Sequence, residues 1–125
     1  MKVFDTEVFK LTLHPNLLKE VKAHKHHALR AKDVWESRDQ SLSYRPDARF
    51  FVLLEGEENA SVTPDARRAA ASVEYSKNVA ALALCSDKTH EAIMGNLFLK
   101  VNKPKVPTRF FDKRDKVLIW LKSQM

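Results

Sequence analysis

Glycine is scarce in this chain, with two residues in 125. That scarcity excludes Gly-rich phosphate loops, flexible linkers and collagen-like repeats. A lone cysteine, Cys85, rules out an internal disulfide and suits a reducing compartment. No apolar run approaches the ~20 residues of a membrane span. The opening stretch, MKVFDTEVFK, sets Asp5 and Glu7 where a secretory signal needs unbroken apolar side chains. We therefore expect a soluble, cytoplasmic protein without a membrane span. The chain also lacks a nucleophile elbow, a phosphate-binding P-loop, a dinucleotide fingerprint and any preferred Ser-His-Asp order. These gaps predict a protein that is not an enzyme and uses no cofactor.

What is present is an ordinary globular composition, 44% hydrophobic and 30% charged, in a length that suits one domain over residues 1–125. Net charge is +6, from 22 basic and 16 acidic residues. A basic balance fits either a solvated surface or an acidic partner, nucleic acid included. Lys103, Lys105, Arg109, Phe110 and Lys113 interleave cations with an aromatic ring. Phe110 and Phe111 fall in an expected strand, so burial of at least one is the expectation, and nucleic acid is not the partner we expect.

Hydrophobic period divides the chain. Phe9, Leu11 and Leu13 alternate in EVFKLTLH (7–14), His-Pro-Asn turns the chain, and LLKEVKAH (17–24) alternates more weakly. This predicts an N-terminal β-hairpin. Residues 28–42 change to a helical period, with Ala28, Ala31, Val34, Trp35 and Leu42 on one side, and Pro46 ends it. FFVLLEG (50–56) and VAALALC (79–85) are continuous apolar runs, as for strands covered on both faces. Cys85 closes the second run and reads as a small buried residue; a helix start beside it would be what lowers its pKa. Between the runs, Thr63 is placed to cap a helix with Pro64 at its first position and Asp65 in its first turn, ending near Asn78. A further helix is expected over 86–102. The segment NKPKVPTRFF (102–111) then punctuates the passage from that helix to a short strand, Thr108–Phe111. Asp112 is expected to cap a last helix that turns Val117, Leu118 and Leu121 inward, with Trp120 at the core edge. Strands alternating with helices predict a mixed sheet, a hairpin followed by αβαβαβα.

This order, together with Asn96-Leu97-Phe98-Leu99, the Asn102-Lys103-Pro104-Lys105-Val106-Pro107-Thr108 word, Trp120-Leu121 and the Ala66-Arg67-Arg68 helix, resembles the STAS-like family of small bacterial domains. These are relatives of the SpoIIAA-type anti-sigma factor antagonists. The likeness is strongest over 50–122, to an uncharacterised subgroup of about this length. It implies a SpoIIAA/STAS-like α/β fold and a regulatory or protein-interaction role with an unknown protein partner. The fold's looser likeness to SEC14-type domains implies, alternatively, a small-molecule or lipid carrier. In the antagonists a serine in an Asp-Ser-Ser-Gly word at the start of the second helix is phosphorylated. That word is missing here. Ser61 and Thr63 are the nearby hydroxyls, and Thr63 reads first as a helix cap. An exposed edge strand would also permit a homodimer.

Strand C-termini line the crevice where open α/β sheets bind ligands. Glu55, Asn59, Ser61, Thr63, Arg67, Ser86 and Asp87 are therefore the candidate partner- or ligand-binding rim; caps and turns explain the same residues without a ligand. His24, His26 and His27, with His14, invite a metal or pH-sensing reading. One distant cysteine and crowded histidines do not make the spacing of a structural metal site, so a solvated cluster is expected and no metal site is assigned.

Overall fold

The computed structural model describes residues 1–86 and 98–125. A six-stranded mixed sheet organises them. Its first half is an antiparallel meander of β1 (Lys2–Asp5), β2 (Phe9–Leu13) and β3 (Leu18–Ala23), with Leu11 opposite Val21. Its second half is parallel: β3 pairs with β5 (Phe50–Gly56), β5 with β7 (Val79–Cys85), and β7 with β8 (Thr108–Phe111). The sheet order is β1-β2-β3-β5-β7-β8. Two short strands, β4 (Ala28–Leu29) and β6 (Ser61–Val62), form a separate parallel pair.

The expected hairpin is thus β2–β3, and β1 adds a third strand in front of it. The continuous apolar runs do lie centrally and parallel, and their side chains feed two cores. Phe50, Val52 and Leu54 of β5 join Val79, Leu82 and Leu84 of β7 on one face. Leu53, Ala81 and Ala83 point to the other face. Strand alternation makes this division from Phe50 to Leu54 and from Ala81 to Leu84, because successive residues leave opposite sides of the sheet, while a register irregularity between Phe50 and Phe51 brings Val79 to the first face.

Helices α1 (Ala31–Tyr44), α2 (Pro64–Ala70) and α3 (Val73–Ser76) lie on the first side of the sheet. Helix α4 (Arg114–Gln124) covers the second, anchored by buried Val117 and Leu121, with Leu118 only partly buried. Trp120 sits at the edge of that core and packs a tilted 5.6 Å from Phe111.

Four details depart from the periodic reading. The single helix expected after Thr63 is two helices, because Ser72 starts a new one: its Oγ accepts the Tyr75 N–H at 3.2 Å and donates to Ala69 O at 2.6 Å. α4 begins one residue later than expected, with Lys113 as cap; the Asp112 carboxylate is taken by Lys116 at 3.1 Å. α1 buries Asp33, Ser37 and Ser41, not a purely apolar side. Its serines stay satisfied by donating to their own helix, Ser37 to Val34 O and Ser41 to Ser37 O. The helix expected over 86–102 lies mostly outside the described residues, as does the Asn96-Leu97 part of its motif; its end, Phe98–Asn102, is a π-helical turn.

A column of rings and cations ties α1 and α3 to the sheet. Arg38 lies 4.8 Å over Trp35, Trp35 meets Tyr75 edge-on at 6.1 Å, and Lys19 of β3 approaches the Tyr75 ring to 5.4 Å. Lys19 is buried, and its ammonium donates to the Tyr75 hydroxyl at 3.4 Å. Cation–ring attraction strengthens where water is excluded, which is how a lysine is tolerated beneath α3.

Candidate functional site

Between the sheet and helices α1 and α2, described residues line a cavity of about 380 Å³. Its floor is hydrocarbon: Val21, Val52, Leu54, Leu82 and Leu84 rise from β3, β5 and β7. Small alanines on α2, Ala66 and Ala70, form part of its roof. An alanine-rich helix would normally approach the sheet closely. Here α1 presents Asp33 and Ser37 to the same space, and polar side chains do not close over apolar floor as leucines would.

The rim carries the polar groups. Gly56, Asn59 and Ser61 are exposed, while Val52, Leu82 and Ala66 are buried, so the cavity opens toward the C-terminal ends of β5 and β7. Gly56 permits a close approach: a Cβ there would stand 3.1 Å from Ala60 Cβ. Asn59 adopts a left-handed backbone, φ 57°, which its short polar side chain tolerates.

Of the candidate rim residues, the fold brings Glu55, Asn59, Ser61, Arg67 and Ser86 to this cavity. Thr63 stands beside it as the cap of α2: its Oγ accepts the Ala66 N–H at 3.3 Å and donates to Asp65. Asp87 lies outside the described residues. Periodicity alone did not point to Asp33, Ser37, Tyr75 and Phe110, which also line the cavity. The Asp33-Ser37-Ser41 spacing of four was the available signal, since it runs one polar stripe down a helix.

Electrostatically the rim is largely settled. The Glu55 carboxylate turns to Arg114 and Lys22 on the far side of the sheet. Arg114 also holds Glu20, and this bridge fastens the start of α4 to β3 and β5. Burial would raise the Glu20 pKa; hydrogen bonds from Arg114 and His14 outweigh it and hold the carboxyl below its ordinary value.

The histidines form a clasp beside the same rim. His24 Nε2 lies 2.7 Å from Asp5 of β1, and Nδ1 lies 3.1 Å from Glu57, just past β5. The hydrogen bond to Asp5, then that to Glu57, raises the His24 pKa above its ordinary value. The Lys25 N–H also donates to Glu57, and Lys25 Nζ stands 3.2 Å from Glu58. His26 receives Asn59 Nδ2 at 3.3 Å, and His27 faces Glu7 at 3.8 Å. The ring nitrogens thus meet carboxylates and amides rather than one another. Among the described residues no three His, Cys, Asp or Glu side chains converge as a metal would require.

The sheet order and the matched segment decide the kinship. The family model described as a domain of unknown function, DUF7793, matches residues 17–125. The chain belongs to the DUF7793 family. No curated protein matches it. A similar solved structure is the crystal structure of an uncharacterized protein of the DUF3478 family with a SpoIIAA-like fold, from Shewanella loihica PV-4. The likeness covers 90% of this DUF7793 chain and 91% of that one, at a TM-score of 0.59 and 12% identity. The fold is therefore SpoIIAA-like, as the Asn102–Thr108 word implied, with β1 and β2 preceding the matched family segment. No helix among the described residues is long and apolar enough to cross a membrane.

Proposed function

We propose that this chain is a non-catalytic binding domain that takes a small, largely apolar molecule into the cavity beneath α1 and α2. The observation that carries this is the cavity itself: about 380 Å³, apolar on its floor, polar at its rim, and placed at the C-terminal ends of β5 and β7. Ligand sites in proteins run ~300–1,000 Å³ with mostly apolar walls and a few polar groups. Open α/β sheets bind at that end of their strands. A non-catalytic role is supported by the rim's carboxylates, since Glu55 is held by Arg114 and Asp33 accepts the Arg30 N–H.

Native mass spectrometry of gently purified protein tests it. A mass that survives desolvation, leaves on denaturation and is missing from an Ala70→Trp variant is the expected result. A bare chain that also fails to take up an added apolar dye would sink the reading.

A second reading, a regulatory protein-interaction domain, is favoured by one observation. Val73 opens α3 with 63% of its surface exposed, next to the exposed Glu74. Contact with a partner protein would bury it. Val73→Asp is expected to weaken a regulatory complex without touching uptake of small molecules.

A further inference from the structure

We propose that the cavity's ligand is an anionic amphiphile, a single apolar chain with a carboxylate or phosphate head seated on Arg67. This rests on the reading of the cavity as a ligand site and goes on to name the ligand's chemistry.

The charges around the cavity lead to it. Among the described residues its lining holds two carboxylates, Asp33 and Glu55, and one cation, Arg67. Glu55 already meets Arg114 and Lys22, and Asp33 accepts the Arg30 backbone N–H at 2.9 Å inside the α1 capping box. Both anions are thus answered by this chain's own donors. Arg67 is not. One guanidinium N–H donates to Val62 O at 3.1 Å, and Arg67 forms no ion pair among the described residues. Arg38 faces Asp39 and Glu74, and Arg114 joins Glu20 and Glu55. Arg49 shares the pattern of Arg67, donating to Val79 O at 3.2 Å, but it is exposed and stands outside the cavity lining, whereas Arg67 is half-buried within it.

Val62 O pins the guanidinium at the roof, on the β6–α2 side, and so fixes where its remaining donors point from. A half-buried arginine without a counter-ion, its fork held by one backbone bond, is arranged for a planar or tetrahedral oxyanion. The sheet side of the cavity favours hydrocarbon, with Val52, Leu54, Leu82 and Leu84 along it, and the buried polar groups of α1, Asp33 and Ser37, are already bonded within their own helix end. A free inorganic anion would leave that floor uncovered, and an uncharged apolar molecule would leave Arg67 unanswered. A cationic ligand would meet carboxylates already taken. A chain with an anionic head satisfies both ends, and the net charge of +6 draws it in.

The test uses the whole chain and calorimetry with decanoate, decyl phosphate and decanol. Both anions should bind wild type more tightly than the alcohol, by about tenfold to a hundredfold. The tighter of the two identifies the head group. Arg67→Gln should erase that preference, bringing the affinities for decanoate and decyl phosphate down to that for decanol. Arg67→Lys, which keeps the charge, should restore most of it even if the lost Val62 bond lowers stability. Equal affinity for alcohol and anions, or a preference that survives Arg67→Gln, overturns the proposal and leaves the cavity reading standing. Binding of none of the three by wild type overturns the cavity reading and this proposal together.

Discussion

Ala70→Leu should stabilise this protein, although enlarging a residue between a helix and a sheet usually does the opposite. Ala70 lies on the cavity side of α2, between Ala66 and Tyr75 in the lining. Leucine adds three carbons there. Burial is worth about 0.8 kcal/mol per methylene, for a gross gain of roughly 2 kcal/mol. Restricting the leucine rotamers costs about 0.5–1 kcal/mol, and lower helix propensity removes a few tenths more. The net expectation is a gain of about 1 kcal/mol, or roughly 4 °C in Tm for a chain of this size. The control is the same exchange on the other face. Ala81 is fully buried with Leu53, Ala83, Val117 and Leu121 under α4. Overpacking at such a site costs about 1–3 kcal/mol, so Ala81→Leu should be destabilising. Urea unfolding followed by circular dichroism reads both, through midpoints at unchanged slope. If Ala70→Leu loses stability as Ala81→Leu does, there is no room beneath α2 and the functional argument fails with it.

Three further outcomes are expected. His24 should titrate above its ordinary value of 6.5 in an NMR pH series, and Asp5→Asn or Glu57→Gln should each bring it down. Because the folded pKa is the higher one, the clasp's contribution is complete below the unfolded value and fades as pH rises through the folded one. Glu57, held low by His24 and then the Lys25 N–H, sets the acid end of that window; an unmoved His24 titration in both variants would refute the clasp. Arg114→Ala should cost about 1–2 kcal/mol at neutral pH by freeing Glu20 and Glu55 from their shared partner. Glu20's depressed pKa makes its share of that loss present above its ordinary 4.5 and absent once pH falls through the folded value, so equal losses at acid and neutral pH would contradict it. Thr63→Ala should cost about 1 kcal/mol through the lost cap, and Thr63→Glu should not recover it, since a new carboxylate would crowd Asp65. Recovery by glutamate would instead point to an anion-driven switch at that position.

Much of the fold could be read from the residues because the central strands are chemically simple. FFVLLEG and VAALALC are apolar on both sides, and burial under helices on both faces is what that pattern requires. β1 escaped because KVFD is short and mostly exposed, so its backbone pairing with β2, not its side chains, makes it a strand. α2 and α3 merged in the reading because Ser72 resembles any small helical residue until its hydroxyl is seen to cap. α1 was turned toward Ala28, Ala31, Val34, Trp35 and Leu42 because periodicity weighs hydrophobicity alone. Asp33 and Ser37 face inward since part of what lies opposite is a cavity. Where Glu55, Asn59, Ser61, Arg67 and Ser86 would stand could be named in advance because strand ends and the turns after them define that edge of the sheet. The partners that settle their charge, such as Arg114 for Glu55, come from 59 residues away and leave no local trace.

The placement of α4 has a consequence for how the chain is made. Leu53, Ala81 and Ala83 form an apolar surface that, among the described residues, this helix covers through Val117 and Leu121. During synthesis every strand leaves the ribosome before α4 does. The nascent sheet therefore spends time with one greasy side bare, and early release by a premature stop would leave it so permanently. The Glu20–Arg114 bridge, spanning 94 residues, is among the final links to form. Truncation before Arg114 should therefore yield aggregates rather than a smaller soluble domain.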